Sequence, residues 1–322
     1  MKKILVAHDF NLNLYMYNLQ TRILKSKKFL NKKIIIKKSK NLSSREKKNV
    51  QVFWGNRLNI NTIKKYKNLK FVHFGSKGVD EEVIFYLKKN KIKYTVSKKI
   101  FVDSVVSSII AAIFSSSRAI NFSYMLRKKN CLDRKNIDLY KNYINNVFNE
   151  SFLLVGFGEI NKRLFRLLKN ISKNITIINR SKVNIKKFKS VRGLNKLILN
   201  VKNKKFIINT LPLTKNTKNI FNKKIFKNFS DYTVFINYGR GDTINLNDLR
   251  KIINKKKITA CLDVFNKAEY VNPSRPFDNS FFLLKNFKHI ITPHIGSYDN
   301  EYWIKQINLF SENLRKVFKI FN

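Results

Sequence analysis

Apolar residues fall along this chain in short blocks of about four or five, separated by longer stretches in which they recur every three or four positions. Short blocks of this kind read as buried strands, and the wider spacing reads as amphipathic helix. In the first third, blocks at 3–7, 33–37, 50–54, 71–74 and 93–96 predict strands, with helices at 61–67 and 81–89 between the later ones. The stretch 102–124 predicts one long helix, whose small residues Ser107, Ser108, Ala111, Ala112 and Ser115 suit close packing against another element. A second series at 152–155, 175–178, 196–199, 206–209, 233–237, 259–264 and 289–292 predicts a second set of strands, with a helix at 162–169. Near the end, Trp303, Ile304, Ile307, Phe310, Leu314, Val317, Phe318 and Phe321 keep helical spacing over 301–321. Alternating strand and helix is the pattern of parallel sheets covered on both faces. The expected fold class is therefore α/β, with two doubly wound parallel-sheet domains. The polar segment 127–146 predicts no element.

Composition narrows the function classes. A length of 322 residues fits two domains of ordinary size. The apolar run at the start is short and is followed at once by His8 and Asp9, which reads as a first strand and not as a signal peptide. The longest apolar region, around 105–114, is broken by serines and is too short to span a bilayer. Cys131 and Cys261 are too few for a disulfide framework or a metal cluster, and no pair of histidines has metal-ligand spacing. These features predict a cytoplasmic protein with no metal. The net charge of +48 raises the question of a nucleic-acid or anionic-membrane partner. The lysines, however, are spread over the whole chain among Asn, Ile and Phe, as an AT-rich coding sequence would give. With no basic arm or aromatic RNA-binding signature, the expectation is no specific nucleic acid and no membrane.

The chemistry gathers at predicted strand ends. Gly156-Phe157-Gly158-Glu159-Ile160-Asn161 follows an apolar strand and opens a helix, the context of a dinucleotide-binding turn. Its first glycine permits the tight turn, its second lets a pyrophosphate approach the backbone, and the helix N-terminus supplies N–H donors. A third glycine is absent, with Asn161 in its place. The next strand ends in Asn179-Arg180-Ser181, where an NAD-preferring site would carry an acid on the ribose. A guanidinium and a hydroxyl there suit a 2′-phosphate and favour NADP, with NAD possible, although Arg180 can also be read as one more solvated cation. Three later strands end in Arg240, Asp263 and His294. In open α/β sheets ligands sit at the carboxyl ends of strands. An imidazole placed there, between Pro293 and Ile295-Gly296, is a candidate acid–base group. His8, His73 and His289 read as ordinary strand-end or surface residues, and Cys261 as a small core residue.

These motifs, taken in order, resemble the D-isomer-specific 2-hydroxyacid dehydrogenases, in particular the branch of glyoxylate and hydroxypyruvate reductases. The residues that carry the resemblance are Gly156–Ile160, Thr210-Leu211-Pro212-Leu213-Thr214 with Asn216-Thr217, Asn237–Asp242, Leu262–Phe265, Thr292–Gly296, and 69–80 in the first third. The resemblance implies a nucleotide domain (101–297) of Rossmann type inserted into a flavodoxin-like substrate domain (1–100 with 298–322), and a homodimer. It implies NAD(P)-dependent reduction of a small 2-oxo acid to the D-2-hydroxy acid. Arg240 would grip the substrate carboxylate, His294 would give the proton, and the backbone of Lys77 and Gly78 would bind the carboxylate. Thr210, Leu211, Pro212, Tyr238, Gly239, Asp263, His294 and Gly296 would line the cofactor site with Gly156, Gly158, Glu159, Ile160, Asn179, Arg180 and Ser181.

Two departures stand out. The family's glutamate that pairs with the histidine falls on Ala268, with Glu269 one place later, so a loop shift is needed to restore the pair. Lys77 stands where the family has a small residue, which would favour a second negative charge on the substrate. An alternative expectation is a catalytically impaired relative that binds nucleotide as a regulator or scaffold.

Overall fold

The computed structural model describes residues 3–10, 18, 33–55, 58–76, 79–97, 99–128, 130, 133–265 and 289–320. The chain divides into two units, Met1–Phe101 with Asp299–Asn322, and Val102–Tyr298.

The first unit begins with β1 (Lys3–His8) and β2 (Lys33–Lys38), whose apolar centres pair in parallel, Ile4 against Ile34 and Val6 against Ile36. Helix α1 (Ser44–Lys48) starts at a reciprocal cap: Glu46 N–H donates to Ser43 Oγ, and Ser43 N–H donates to the Glu46 carboxylate. Then follow β3 (Val52–Gly55), α2 (Ile60–Lys64), β4 (Phe71–Phe74), α3 (Glu81–Lys89) and β5 (Lys93–Val96). Helix α3 carries Glu81 and Glu82 in its first turn and Lys88 and Lys89 in its last, matching the helix dipole. Among the described residues the sheet has the order β2-β1-β3-β4-β5, all parallel.

The second unit opens with α4 (Val102–Ser117) and α5 (Ile120–Lys128). The apolar pattern predicts one helix over 102–124, but the chain breaks at Arg118 and Ala119, where Ala119 takes φ 51°. Arg118 there forms a bridge to Ile144, across the segment in which the pattern predicts no element. The strands are β6 (Phe152–Val155), β7 (Ile175–Asn179), β8 (Lys189–Arg192), β9 (Phe206–Asn209), β10 (Val234–Asn237), β11 (Thr259–Leu262) and β12 (Ile290–Ile291). Between them lie α6 (Glu159–Leu168), α7 (Leu197–Asn200), α8 (Lys223–Phe226) and α9 (Leu246–Ile253). The expected strand at 196–199 is thus helix. Leu197 and Val201 are buried and Leu199 is 70% exposed, a spacing of four and not of two. The true edge strand, β8, is polar and half-exposed and gave no apolar block.

The sheet order among described residues is β12-β11-β10-β9-β6-β7-β8, all parallel. Chain direction across the sheet reverses between β6 and β9, so the loops after these two strands flank the crevice where such sheets bind ligands. The packed face of α4 is formed by Val105, Val106, Ile109, Ala112, Ile113, Ser116 and Ser117, so of the five small residues expected to pack closely only Ala112 is fully buried. Ser108, Ala111 and Ser115, with the edge of Ala112, line a groove of about 750 Å³ together with Tyr238, Thr292, Gly296 and Tyr298.

The last helix, α10 (Tyr302–Ile320), belongs to the first unit and buries Ile307, Phe310, Leu314, Val317 and Phe318 against Ile4, Val6, Val52, Trp54 and Phe71. Phe310 stacks on Trp54 with ring centroids 4.4 Å apart. At roughly 1.5–3 kcal/mol for each large apolar side chain removed from water, this seam is a main source of the unit's stability. Among the described residues no helix is long and apolar enough to cross a membrane.

Candidate active site

The glycine turn lies at the switch point. Gly156 ends β6 at φ +83°, a left-handed conformation that side chains other than glycine rarely adopt, and its N–H donates to Ile178 O at 2.9 Å. Gly158 caps α6, and a Cβ built on it would meet nothing within 4 Å. Open space beside backbone N–H groups at the start of a ten-residue helix is what a pyrophosphate needs. Asn161 explains the missing third glycine. It is fully buried, and its Nδ2 donates to Gly156 O at 2.7 Å and Val155 O at 3.3 Å, tying the helix to the strand end by hydrogen bonds. Glu159 and Ile160 sit in the first turn of α6, where Glu159 pairs loosely with Lys162 at 3.6 Å. These residues fit a dinucleotide.

Asn179, Arg180 and Ser181 follow at the end of β7. Asn179 Nδ2 donates to Ser181 O at 3.2 Å and to Ser181 Oγ at 3.3 Å, folding the turn back on itself. Arg180 and Ser181 are exposed there.

Across the crevice a buried polar network holds the loops after β9 and β10. Asn209 Nδ2 donates to Asn237 Oδ1 at 2.9 Å and Thr243 Oγ1 at 2.8 Å, and its Oδ1 accepts from Leu211 N–H at 3.1 Å. Asn237 Oδ1 also accepts from Gly239 N–H at 3.1 Å, and Thr243 Oγ1 donates to Arg240 O at 2.6 Å. Thr210 and Leu211 are thereby fixed beside Tyr238 and Gly239, while Thr217 Oγ1 donates to Pro212 O at 2.6 Å. The sequence reading missed Asn209 and Thr243 as positioning groups. The signal available was a polar residue closing an otherwise apolar strand. Arg240 emerges half-buried from this frame, with Nη1 donating to Gly239 O at 2.7 Å.

The third loop is organised by Asp263, buried after β11. Its Oδ1 accepts from Thr292 Oγ1 at 2.6 Å, Ile295 N–H at 2.9 Å and Gly296 N–H at 3.1 Å, and its Oδ2 accepts from Gly296 N–H at 3.1 Å. Oδ1 is filled, whereas Oδ2 keeps capacity for another donor. Burial raises the Asp263 pKa, against the pull of these bonds and of His294. Gly296 is required here, since a Cβ would lie 2.6 Å from the Tyr238 ring and 2.8 Å from Asp263 Oδ2. Burial likewise raises the Tyr238 pKa, so its phenol stays protonated. His294 stands at φ 57°, a strained setting for a residue other than glycine. The residue as a whole is exposed, yet the protein packed around it lowers its pKa, the Asp263 carboxylate raises it and the Arg240 guanidinium lowers it again, for a net downward shift. Arg240 and Asp263, from two neighbouring strand ends, therefore both act on His294.

Lys77, Gly78 and Glu269 lie outside the described residues. The remaining histidines are not surface groups: His8, His73 and His289 are all buried. His289 Nδ1 accepts from Ala260 N–H at 3.1 Å. Cys261 is a core residue whose burial pushes its thiol up to about 12.

Seven parallel strands in this order among the described residues, with a phosphate cradle at the switch point, define a dinucleotide-binding α/β protein. Residues 110–296 match the family model "D-isomer specific 2-hydroxyacid dehydrogenase, NAD binding domain", and the chain belongs to that family. It is similar to erythronate-4-phosphate dehydrogenase of Wigglesworthia glossinidia brevipalpis, 28% identical over 263 residues, covering 79% of this chain and 59% of that protein's length. It is also similar to glyoxylate reductase of Pyrococcus furiosus, 27% identical over 169 residues, covering 52% of this chain and 48% of that protein. The chain thus spans about half to three-fifths of the length of these curated relatives. The structure of D-lactate dehydrogenase from Aquifex aeolicus, complexed with NAD and lactic acid, superimposes with a TM-score of 0.77 at 20% identity, covering 98% of this chain and 95% of that one. The two parallel-sheet α/β units are the architecture of this group.

Proposed function

We propose that the protein is an NAD(P)-dependent oxidoreductase acting between a small 2-oxo acid and its D-2-hydroxy acid. The observation that carries this reading is the placing of Arg240 and Asp263, at neighbouring strand ends, where both act on His294. A bound nicotinamide supplies or accepts the hydride. The 102–298 unit would hold the dinucleotide through Gly156, Gly158 and the first turn of α6, with Thr210, Leu211, Pro212, Tyr238, Gly239, Asp263 and Gly296 along its path. Arg180 and Ser181 would take a 2′-phosphate and favour NADP. Arg240 would bind the substrate carboxylate through its planar fork and draw charge from the 2-carbonyl. The backbone of the loop after β4, including Lys77 and Gly78, would donate to the same carboxylate. His294 would exchange a proton with the 2-oxygen. With its pKa lowered, the imidazole is largely neutral at pH 7, the form that accepts a proton from a 2-hydroxyl. Reduction uses the protonated form and gains as pH falls. Glu269 would be the residue to raise that pKa if it reaches the ring. A homodimer in the cytoplasm belongs to the same proposal.

Glyoxylate and hydroxypyruvate are the first substrates to try. A second reading, a phosphorylated 2-hydroxy acid, is favoured by Lys77 in the substrate loop, the +48 net charge and the similarity to an erythronate-4-phosphate dehydrogenase. Steady-state turnover of NADPH and NADH with both oxo acids, and of NADP and NAD with erythronate 4-phosphate, tests both. Turnover in one set names the substrate class. Tight dinucleotide binding with no turnover in any set would leave the regulator in place of the enzyme.

A further inference from the structure

In the first unit, a chain of buried polar side chains runs from the edge strand to the loop after β4. His73, within β4, places Nδ1 2.7 Å from Thr95 Oγ1 and Nε2 3.4 Å from Ser97 Oγ. Ser97 Oγ lies 2.9 Å from Gln306 Oε1, and the amide nitrogen of Gln306 donates to the carbonyl oxygen of Gly75 in a short bond. His73, Ser97 and Gln306 are all at 1% exposure or less, so none can turn to water. The Ser97 hydroxyl has a second acceptor in Phe74 O at 3.1 Å, and the Gln306 amide nitrogen also lies 3.4 Å from Tyr302 Oη, so the contact with Gly75 O sets the sense of the chain. His73 Nε2–H donates to Ser97 Oγ, the Ser97 hydroxyl donates to Gln306 Oε1, and Gln306 Nε2–H donates to Gly75 O. An inverted amide would set two oxygens against each other, so the side-chain orientation of Gln306 is fixed by its neighbours.

That orientation has a consequence for the backbone. The described peptide bonds are trans, and a planar trans peptide points its N–H opposite to its C=O. With Gly75 O turned toward α10, the N–H of Ser76 is turned away from that helix. Gln306 lies 231 residues from Gly75 in sequence and belongs to the helix that seals the apolar face of the sheet, so the anchor is rigid.

We propose that Gln306 is a positioning residue, holding the Gly75–Ser76 peptide in one orientation at the end of β4, where the chain enters the loop proposed to receive an anionic substrate group. This rests on the function proposed above, in which that loop binds the carboxylate. Gln306→Met keeps side-chain length and removes both polar ends, and Ser97→Ala removes the hydroxyl that meets the amide oxygen while leaving the bond to Gly75 O in place. Loss of one buried hydrogen bond predicts a rise of about tenfold in the KM of the acid substrate for Gln306→Met, with kcat and the dinucleotide KM within about twofold. Ser97→Ala should move the same constant in the same direction by about threefold, and it carries the test should Gln306→Met fail to fold. Amide hydrogen exchange read on a peptide covering 71–80 should quicken by about tenfold in Gln306→Met, with or without substrate. A folded Gln306→Met with unchanged substrate KM and unchanged exchange overturns the assignment. So does an equal loss in substrate KM, dinucleotide KM and kcat, which would mark a general loosening. If the unaltered protein turns over no acid, the functional reading fails on its own, and the exchange measurement alone decides the role of Gln306.

Discussion

The two units share a construction, a parallel sheet of apolar strands joined by helices, but they set their histidines in different surroundings. The first buries two histidines inside its sheet. Among the described residues His8 has no hydrogen-bond partner for either ring nitrogen, and His73 is bonded to Thr95 and faces Ser97. Both are held neutral, with pKa values lowered to about 4, His8 by burial and then by Lys38, His73 by burial alone. The second unit buries Asn209, Asn237, Thr243 and Asp263, gives them partners, and uses them to fix loops from which Arg240 and His294 emerge. A histidine near the end of a parallel strand is therefore no sign of catalysis in itself. What separates His294 from His8 is access and company: one stands at the rim beside a guanidinium and a carboxylate, the other is sealed in an apolar core with Phe10.

The sharpest way to break this contrast is at Arg240. Arg240→Ala should lower kcat/KM about a thousandfold, roughly 4 kcal/mol, while dinucleotide affinity stays within about twofold. Steady-state kinetics with a parallel fluorescence titration would read both, and an unchanged kcat/KM would remove the second unit's claim to the chemistry.

The first unit makes a claim on stability. An unfolded histidine titrates near 6.5, and folded His8 and His73 titrate near 4. Between these values the unfolded chain binds more protons, so stability is whole above pH 6.5, falls as pH falls toward 4 and levels below it. Each histidine contributes about 3 kcal/mol to that loss. Urea denaturation followed from pH 7 to pH 4 measures it, and His8→Leu should flatten the slope. Equal slopes in the two proteins would mean that His8 is not the buried group it is taken to be.

The smallest effect concerns cofactor choice. Arg180→Asp should move the ratio of kcat/KM for NADPH over NADH toward NADH by about tenfold, the scale of one charge-assisted contact on an exposed site. An unmoved ratio would make Arg180 one more solvated cation.

Much of this was legible along the chain because strands buried on both faces must be apolar throughout. The blocks at 71–74, 152–155 and 206–209 coincide with β4, β6 and β9. What escaped had weak or ambiguous patterning. Lys189–Arg192 is an edge strand, so it could stay polar, and Leu197–Asn200 is a single turn whose three apolar residues mimic a strand. The break at Ala119 shows in no hydrophobic pattern, since a left-handed residue leaves the spacing of its neighbours unchanged. Asn209 was passed over because an asparagine closing a strand has no fixed meaning until its partners, Asn237 and Thr243, are brought beside it.

The sequence by itself determined the strand–helix alternation, the glycine turn with its helix, and the residue types at the strand ends, because periodicity and backbone permissiveness are local properties. Only the tertiary structure decided which polar residues work together. The partners of Asn209 lie 28 and 34 positions away, and that of Gly75 lies 231 positions away. Whether an imidazole is silent or reactive depends on the dielectric and the charges that packing places around it, and nothing in its immediate neighbours along the chain encodes them.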